Sequence, residues 1–182
     1  MEPRTTIWIF TLVLTCLAAV WDWRSRKIPN WLTVSGAVSG ITVHTVLAGW
    51  HGAVFALVGA GIALALLLPL VLLRAVGAGD WKLMGAVGAF LGWKLFLFVF
   101  VGSIFASGIM AIIQMYRVGR VMETLRNTWT LLKGFFAFGL KKHPAISLDN
   151  PRLMKLPFGV AVAAATITCC CAAYWPTLRH IF

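Results

Sequence analysis

Long apolar runs separated by short polar clusters dominate the chain. The runs cover 5–21, 31–50, 52–73, 83–91, 94–116 and 156–175. Most approach the roughly 20 residues that an α-helix needs to cross a bilayer. The stretch 83–115 is the exception, interrupted by Gly92, Trp93 and Lys94. At about 1.5 Å per residue it would measure roughly 50 Å as one helix, too long for one crossing and a little short for two. The polar segments are 22–30, 74–82 and the extended 117–155. Within the last, Val118, Met122, Leu125, Trp129, Leu132 and Phe136 recur at intervals of four and three, one stripe of an amphipathic helix. Such a helix either lies on an anionic leaflet or packs on the bundle. The pattern predicts an all-α, polytopic membrane helix bundle of about six transmembrane helices. It forms a single domain over 1–182, with a cytoplasmic loop at about 117–155.

Composition and charge sharpen this picture. The chain of 182 residues is 60% hydrophobic and 12% charged, about half the charged fraction of a soluble domain. Basic residues concentrate in alternate loops. If 22–30, 74–82 and 117–155 face inward, only Arg4, Lys94 and Arg179 of the 16 Lys and Arg residues lie elsewhere. Basic residues accumulate in cytoplasmic loops, so both termini are expected outside. The same argument accounts for the net charge of +11 without nucleic-acid binding, for which no aromatic stacking platform is present. The basic cluster follows the first apolar run, so a retained span is expected rather than a cleaved signal peptide. Cys16, Cys169, Cys170 and Cys171 all lie in apolar runs and form no Cys-x-x-Cys pair. They read as small apolar groups, and neither a metal nor a cofactor is called for. Gly85, Gly88 and Gly92 are expected to let helices approach closely.

Two of the five acidic residues stand out. Asp22 ends the first apolar run and Asp80 opens the fourth, whereas Glu2, Glu123 and Asp149 lie in polar surroundings. A carboxylate at a membrane boundary is costly, which points to function. On the six-span topology both sit at the same depth on the inner side. Two adjacent carboxyl groups share a proton and titrate as a pair. The ionised member can take a proton from water as it attacks a peptide carbonyl, while the other donates to the carbonyl oxygen. Bland roles are also open. Asp80 can be the N-cap of its helix, and Asp22 can pair with Arg24 or Arg26. Gly77 and Gly79 are expected to let backbone approach a substrate and to permit dihedrals closed to other residues. Lys82 and Arg24 are candidates for holding an acidic residue of a substrate. Ile28, Pro29 and Asn30 form a tight helix entry, and Pro157, Phe158 and Gly159 form either another entry or a wall beside the site.

Taken together, Asp22 with Arg26-Lys27-Ile28-Pro29-Asn30, Gly77-Ala78-Gly79-Asp80 with Lys82-Leu83, and Leu156-Pro157-Phe158-Gly159 resemble the type IV prepilin peptidases, membrane aspartic proteases of the Gly-x-Gly-Asp type. The resemblance implies a hydrolase of the bacterial cytoplasmic membrane, its active site facing the cytoplasm, with Asp22 and Asp80 as the catalytic pair. The implied partners are a prepilin or pseudopilin, cut after a glycine that precedes its apolar helix, and the lipid bilayer. Long members of the family carry Cys-x-x-Cys motifs associated with N-methylation. This chain resembles the short, peptidase-only branch, such as those serving tight-adherence pili. Two alternatives remain: an ion- or proton-coupled transporter or channel using the same aspartates, and a non-catalytic pilus-assembly component.

Overall fold

The structure, a computed structural model, describes residues 3–72, 76–118 and 157–174. It is all-helical: α1 (Pro3–Ser25), α2 (Asn30–Leu72), α3 (Ala78–Val118) and α4 (Phe158–Tyr174). The first three are long and apolar enough to cross a membrane. The amphipathic pattern of 117–155 lies outside the described residues, apart from the last two positions of α3.

Neither α2 nor α3 is a straight rod. The backbone of α2 leaves helical geometry at Ala48 (φ −137°, ψ 15°) and Gly49 (φ 60°, ψ −141°), and that of α3 at Gly92 (φ 69°, ψ 173°). Both glycines adopt the left-handed region, where a Cβ would be strained. The contacts show that the chain folds back at each break. A Cβ on Gly52 would strike the carbonyl of His44, although residues eight apart in a straight helix are separated by about 12 Å. Likewise Gly102, beyond the second break, packs on Ala165 in the middle of α4. The interruptions that the sequence places near residue 50 and at Gly92 are therefore real reversals of direction.

The first half of α3 is the centre of the molecule. Every residue from Leu83 to Gly92 is buried. On one side Gly40, in the first half of α2, meets Ala89; on another, Gly59 and Leu64, in the second half, meet Gly88 and Gly85. Around this rod lie Trp8 and Leu14 of α1, Phe96 and Val99 of the second half of α3, and Val162 of α4. The molecule's outside is apolar too: Val13, Val20, Val38, Phe98, Phe105 and Ile109 are all exposed. Glycine and alanine line the closest helix contacts, while large apolar side chains face outward as well as inward, as suits lipid, where apolar surface gains nothing from leaving the surroundings.

The closest crossing pairs Gly59 with Gly88. A Cβ on Gly88 would lie 2.9 Å from the Ala63 Cβ and 3.0 Å from the Gly59 carbonyl carbon. Backbone cannot yield as a side-chain tip does. Gly88→Ala is expected to destabilise the bundle by about 1–3 kcal/mol, read as a lower melting temperature in detergent.

Buried polar groups are paired locally. The hydroxyls of Thr11, Thr15, Ser103 and Thr166 each bond a carbonyl one turn back. His44 does something less local. It is 8% exposed, its Nε2 lies 2.7 Å from the Phe90 carbonyl oxygen, and its ring rests on Phe55. That carbonyl belongs to the last turn before the Gly92 break and so lacks a helical partner; His44 donates to it. His44→Phe keeps the ring but removes the donor, and a loss of about 1–3 kcal/mol is expected from the unsatisfied carbonyl, measurable in the same melting experiment.

Candidate active site

At the end of the bundle opposite Gly49 and Gly92, four elements converge on the two aspartates. Asp22 sits in the last turn of α1 and is 6% exposed. Its Oδ2 accepts the Gly159 amide hydrogen at 2.7 Å. Gly159 is the second residue of α4, where helical N–H groups have no intrahelical carbonyl and favour an anionic partner. A Cβ at Gly159 would lie 3.0 Å from the Asp22 Cβ and 3.3 Å from the Ala18 carbonyl oxygen, so only glycine allows this approach. Tyr174 Oη donates to Thr5 Oγ1 at 3.1 Å at the far ends of the same helices. The two helices therefore run antiparallel over their full length, with Asp22 and the start of α4 at one level.

Asp80 lies in the first turn of α3. It is not the N-cap. Trp81 N–H bonds the Gly77 carbonyl at 3.1 Å, and the Asp80 carboxylate accepts the Gly77 amide hydrogen. This is the back-reaching arm of a capping box, three residues inside the cap. Asp22 is among the charges that act on Asp80. The two carboxylates, carried by separate helices, are thus within electrostatic reach of each other.

The supporting residues fare differently from one another. Gly77 and Gly79 do not use left-handed backbone; among the described residues only Gly49, Gly92 and Arg26 have positive φ. The expectation of dihedrals closed to other residues is corrected accordingly. Their smallness serves contacts within the chain: a Cβ on Gly77 would meet Asp80 Oδ2 at 3.0 Å, and one on Gly79 would meet Ile28 Cβ at 3.3 Å. Lys82 Nζ donates to Asn30 Oδ1 at 3.0 Å. Pro157 is buried and its carbonyl accepts the Val160 N–H at 3.2 Å, while Phe158 packs against the core. The Pro157–Gly159 turn is therefore a helix entry that also reaches Asp22. Arg24 is exposed in the last turn of α1, and it is Arg26 whose charge acts on Asp22.

Sequence reasoning treated Asn30 only as a cap and missed its bond to Lys82. The available signal was that both residues fall inside the two aspartate-bearing segments. Trp81 was missed as well. Its indole Nε1 donates to the Leu64 carbonyl at 2.8 Å, which ties the start of α3 to the second half of α2.

No curated protein and no solved structure matches the chain. A family model does, over residues 8–112. That range includes both aspartates, Asn30 and Lys82, and stops short of α4. With more than half of its length covered, this integral membrane protein belongs to the type IV leader peptidase family.

Proposed function

We propose that the chain is an aspartic endopeptidase that removes the leader from a prepilin or pseudopilin at the cytoplasmic face of the membrane, with Asp22 and Asp80 as its dyad. The observation that carries this reading is the convergence of the chain's two boundary aspartates at one end of the bundle, inside the region matched by the family. The distribution of Lys and Arg supports six crossings with both termini outside, which puts that end at the cytoplasm. The chain lacks a Cys-x-x-Cys pair, in keeping with the peptidase-only branch.

The chemistry follows from the pair. One carboxylate removes a proton from water as its oxygen attacks the scissile carbonyl carbon. The other, protonated, donates to the carbonyl oxygen. Collapse of the tetrahedral intermediate breaks the C–N bond, and a proton passes to the leaving amine. No metal or cofactor takes part in this scheme. The Gly159 amide orients Asp22, the Gly77 amide orients Asp80, and burial strengthens the interactions of Asp22.

The test is cleavage of a purified candidate prepilin by the reconstituted protein, analysed by mass spectrometry. A single cut after the glycine preceding the apolar helix is the expected result. Absence of cleavage across prepilins and pseudopilins, with a folded enzyme, would remove the proposal.

A further inference from the structure

We propose that Lys82 is a positioning residue, which sets the place of Asp80 relative to Asp22 by gripping Asn30. The proposal rests on the dyad reading above and adds what holds the dyad together. The two aspartates sit on different helices, and the long α2 lies between them in sequence. Their separation is therefore decided by contacts at the site end.

Those contacts come from one short elbow, residues 26–30. It begins on the Asp22 turn, where the Arg26 N–H bonds the Asp22 carbonyl at 2.9 Å, and Arg26 then leaves the helix with φ 53°. It touches α3 on both sides of Asp80: Ile28 presses on Gly79, one residue before, and Asn30 accepts from Lys82, two residues after. The elbow is itself well anchored. The Pro29 carbonyl accepts from the amides of Leu32 and Thr33 at 3.2 and 3.4 Å, and the Asn30 carbonyl accepts from Thr33 Oγ1 at 3.1 Å. Leu32, Thr33 and Ile28 are all buried. The cationic donor makes a charge-assisted bond, exposed at the end of the bundle, to an acceptor carried on this anchored backbone, so the elbow acts as a spacer between the two carboxylates.

This role differs from direct contact between Lys82 and the substrate, and the two are separable. The experiment is a double-mutant cycle of Lys82→Met and Asn30→Ala in reconstituted enzyme, with Asn30→Asp as the variant that keeps an acceptor. Misplacing one carboxylate should lower kcat by roughly 10- to 100-fold in each single variant, with KM within about twofold. The double variant should be no worse than the poorer single one, and Asn30→Asp should stay within about threefold of wild type. A second readout does not depend on cleavage. Spin labels at Trp23→Cys and Ala78→Cys, with the four native cysteines replaced by alanine, should give a narrow distance distribution. Lys82→Met or Asn30→Ala should broaden it.

A rise in KM at unchanged kcat for Lys82→Met would mean that Lys82 meets substrate, and would overturn the proposal. So would independent, multiplying losses, or an Asn30→Ala variant as active as wild type. Should the wild type cleave nothing, the spin-label distances still decide. Broadening would keep the spacer and discard the protease, whereas an unchanged distribution would discard the spacer.

Discussion

Asp22→Asn and Asp80→Asn are each expected to lower the cleavage rate by at least ~10³-fold, the scale of a lost acid or base, and to leave the protein folded. Folding should survive because the amide is nearly isosteric and keeps an oxygen. That oxygen can still accept the Gly159 amide hydrogen at position 22 or the Gly77 amide hydrogen at position 80. What it cannot do is exchange a proton with water at neutral pH. The double variant should be no slower than the slower single one, since half a dyad works no better than none. Cleavage by purified protein, with expression and melting as controls, measures this directly. An Asn variant that retains a tenth of the wild-type rate would exclude its aspartate from the chemistry. Loss of ion or substrate uptake without a change in processing would instead favour a transporter.

Gly159→Ala should produce the next largest loss, and for a different reason. The added methyl group would fall 3.1 Å from Asp22 Oδ2 and 3.0 Å from its Cβ, with the Ala18 carbonyl closing the space behind. The amide donor remains, so only the position of the carboxylate changes. A displacement of several tenths of an ångström at a reacting group is expected to lower kcat by roughly 10- to 100-fold. The overpacking should destabilise the fold by about 1–3 kcal/mol. Activity within about twofold of wild type would show that the start of α4 does not orient Asp22. Gly159 lies outside the region matched by the family model, so this variant also tests whether α4 belongs to the working site.

Much of this could be read from the chain as letters. A charged residue in an apolar sequence is conspicuous because lipid penalises it, which is why Asp22 and Asp80 declare themselves without coordinates. Interruptions near residue 50 and at Gly92 were legible in the apolar pattern, because runs too long for one crossing must turn; that the backbone turns through left-handed Gly49 and Gly92 was not. The glycines at 85 and 88 were correctly read as packing residues. The dihedral role expected of Gly77 and Gly79 was read wrongly, because a glycine that makes room for Asp80 or Ile28 looks the same in sequence as one that adopts unusual dihedrals. Arg24 and Arg26 were equally good candidates beside Asp22. The structure chooses Arg26, just beyond the end of α1.

The sequence by itself determined the class of the protein, its helical content and the two carboxylates, since these follow from local composition and from the cost of charge in lipid. Tertiary structure alone decided that α4 presents the Gly159 amide to Asp22, that Lys82 reaches Asn30, and that the shortest apolar run becomes the buried axis. Each of these depends on helices distant in sequence meeting at a particular rotation and depth. Packing geometry sets that rotation and depth, and no stretch of the chain carries it alone.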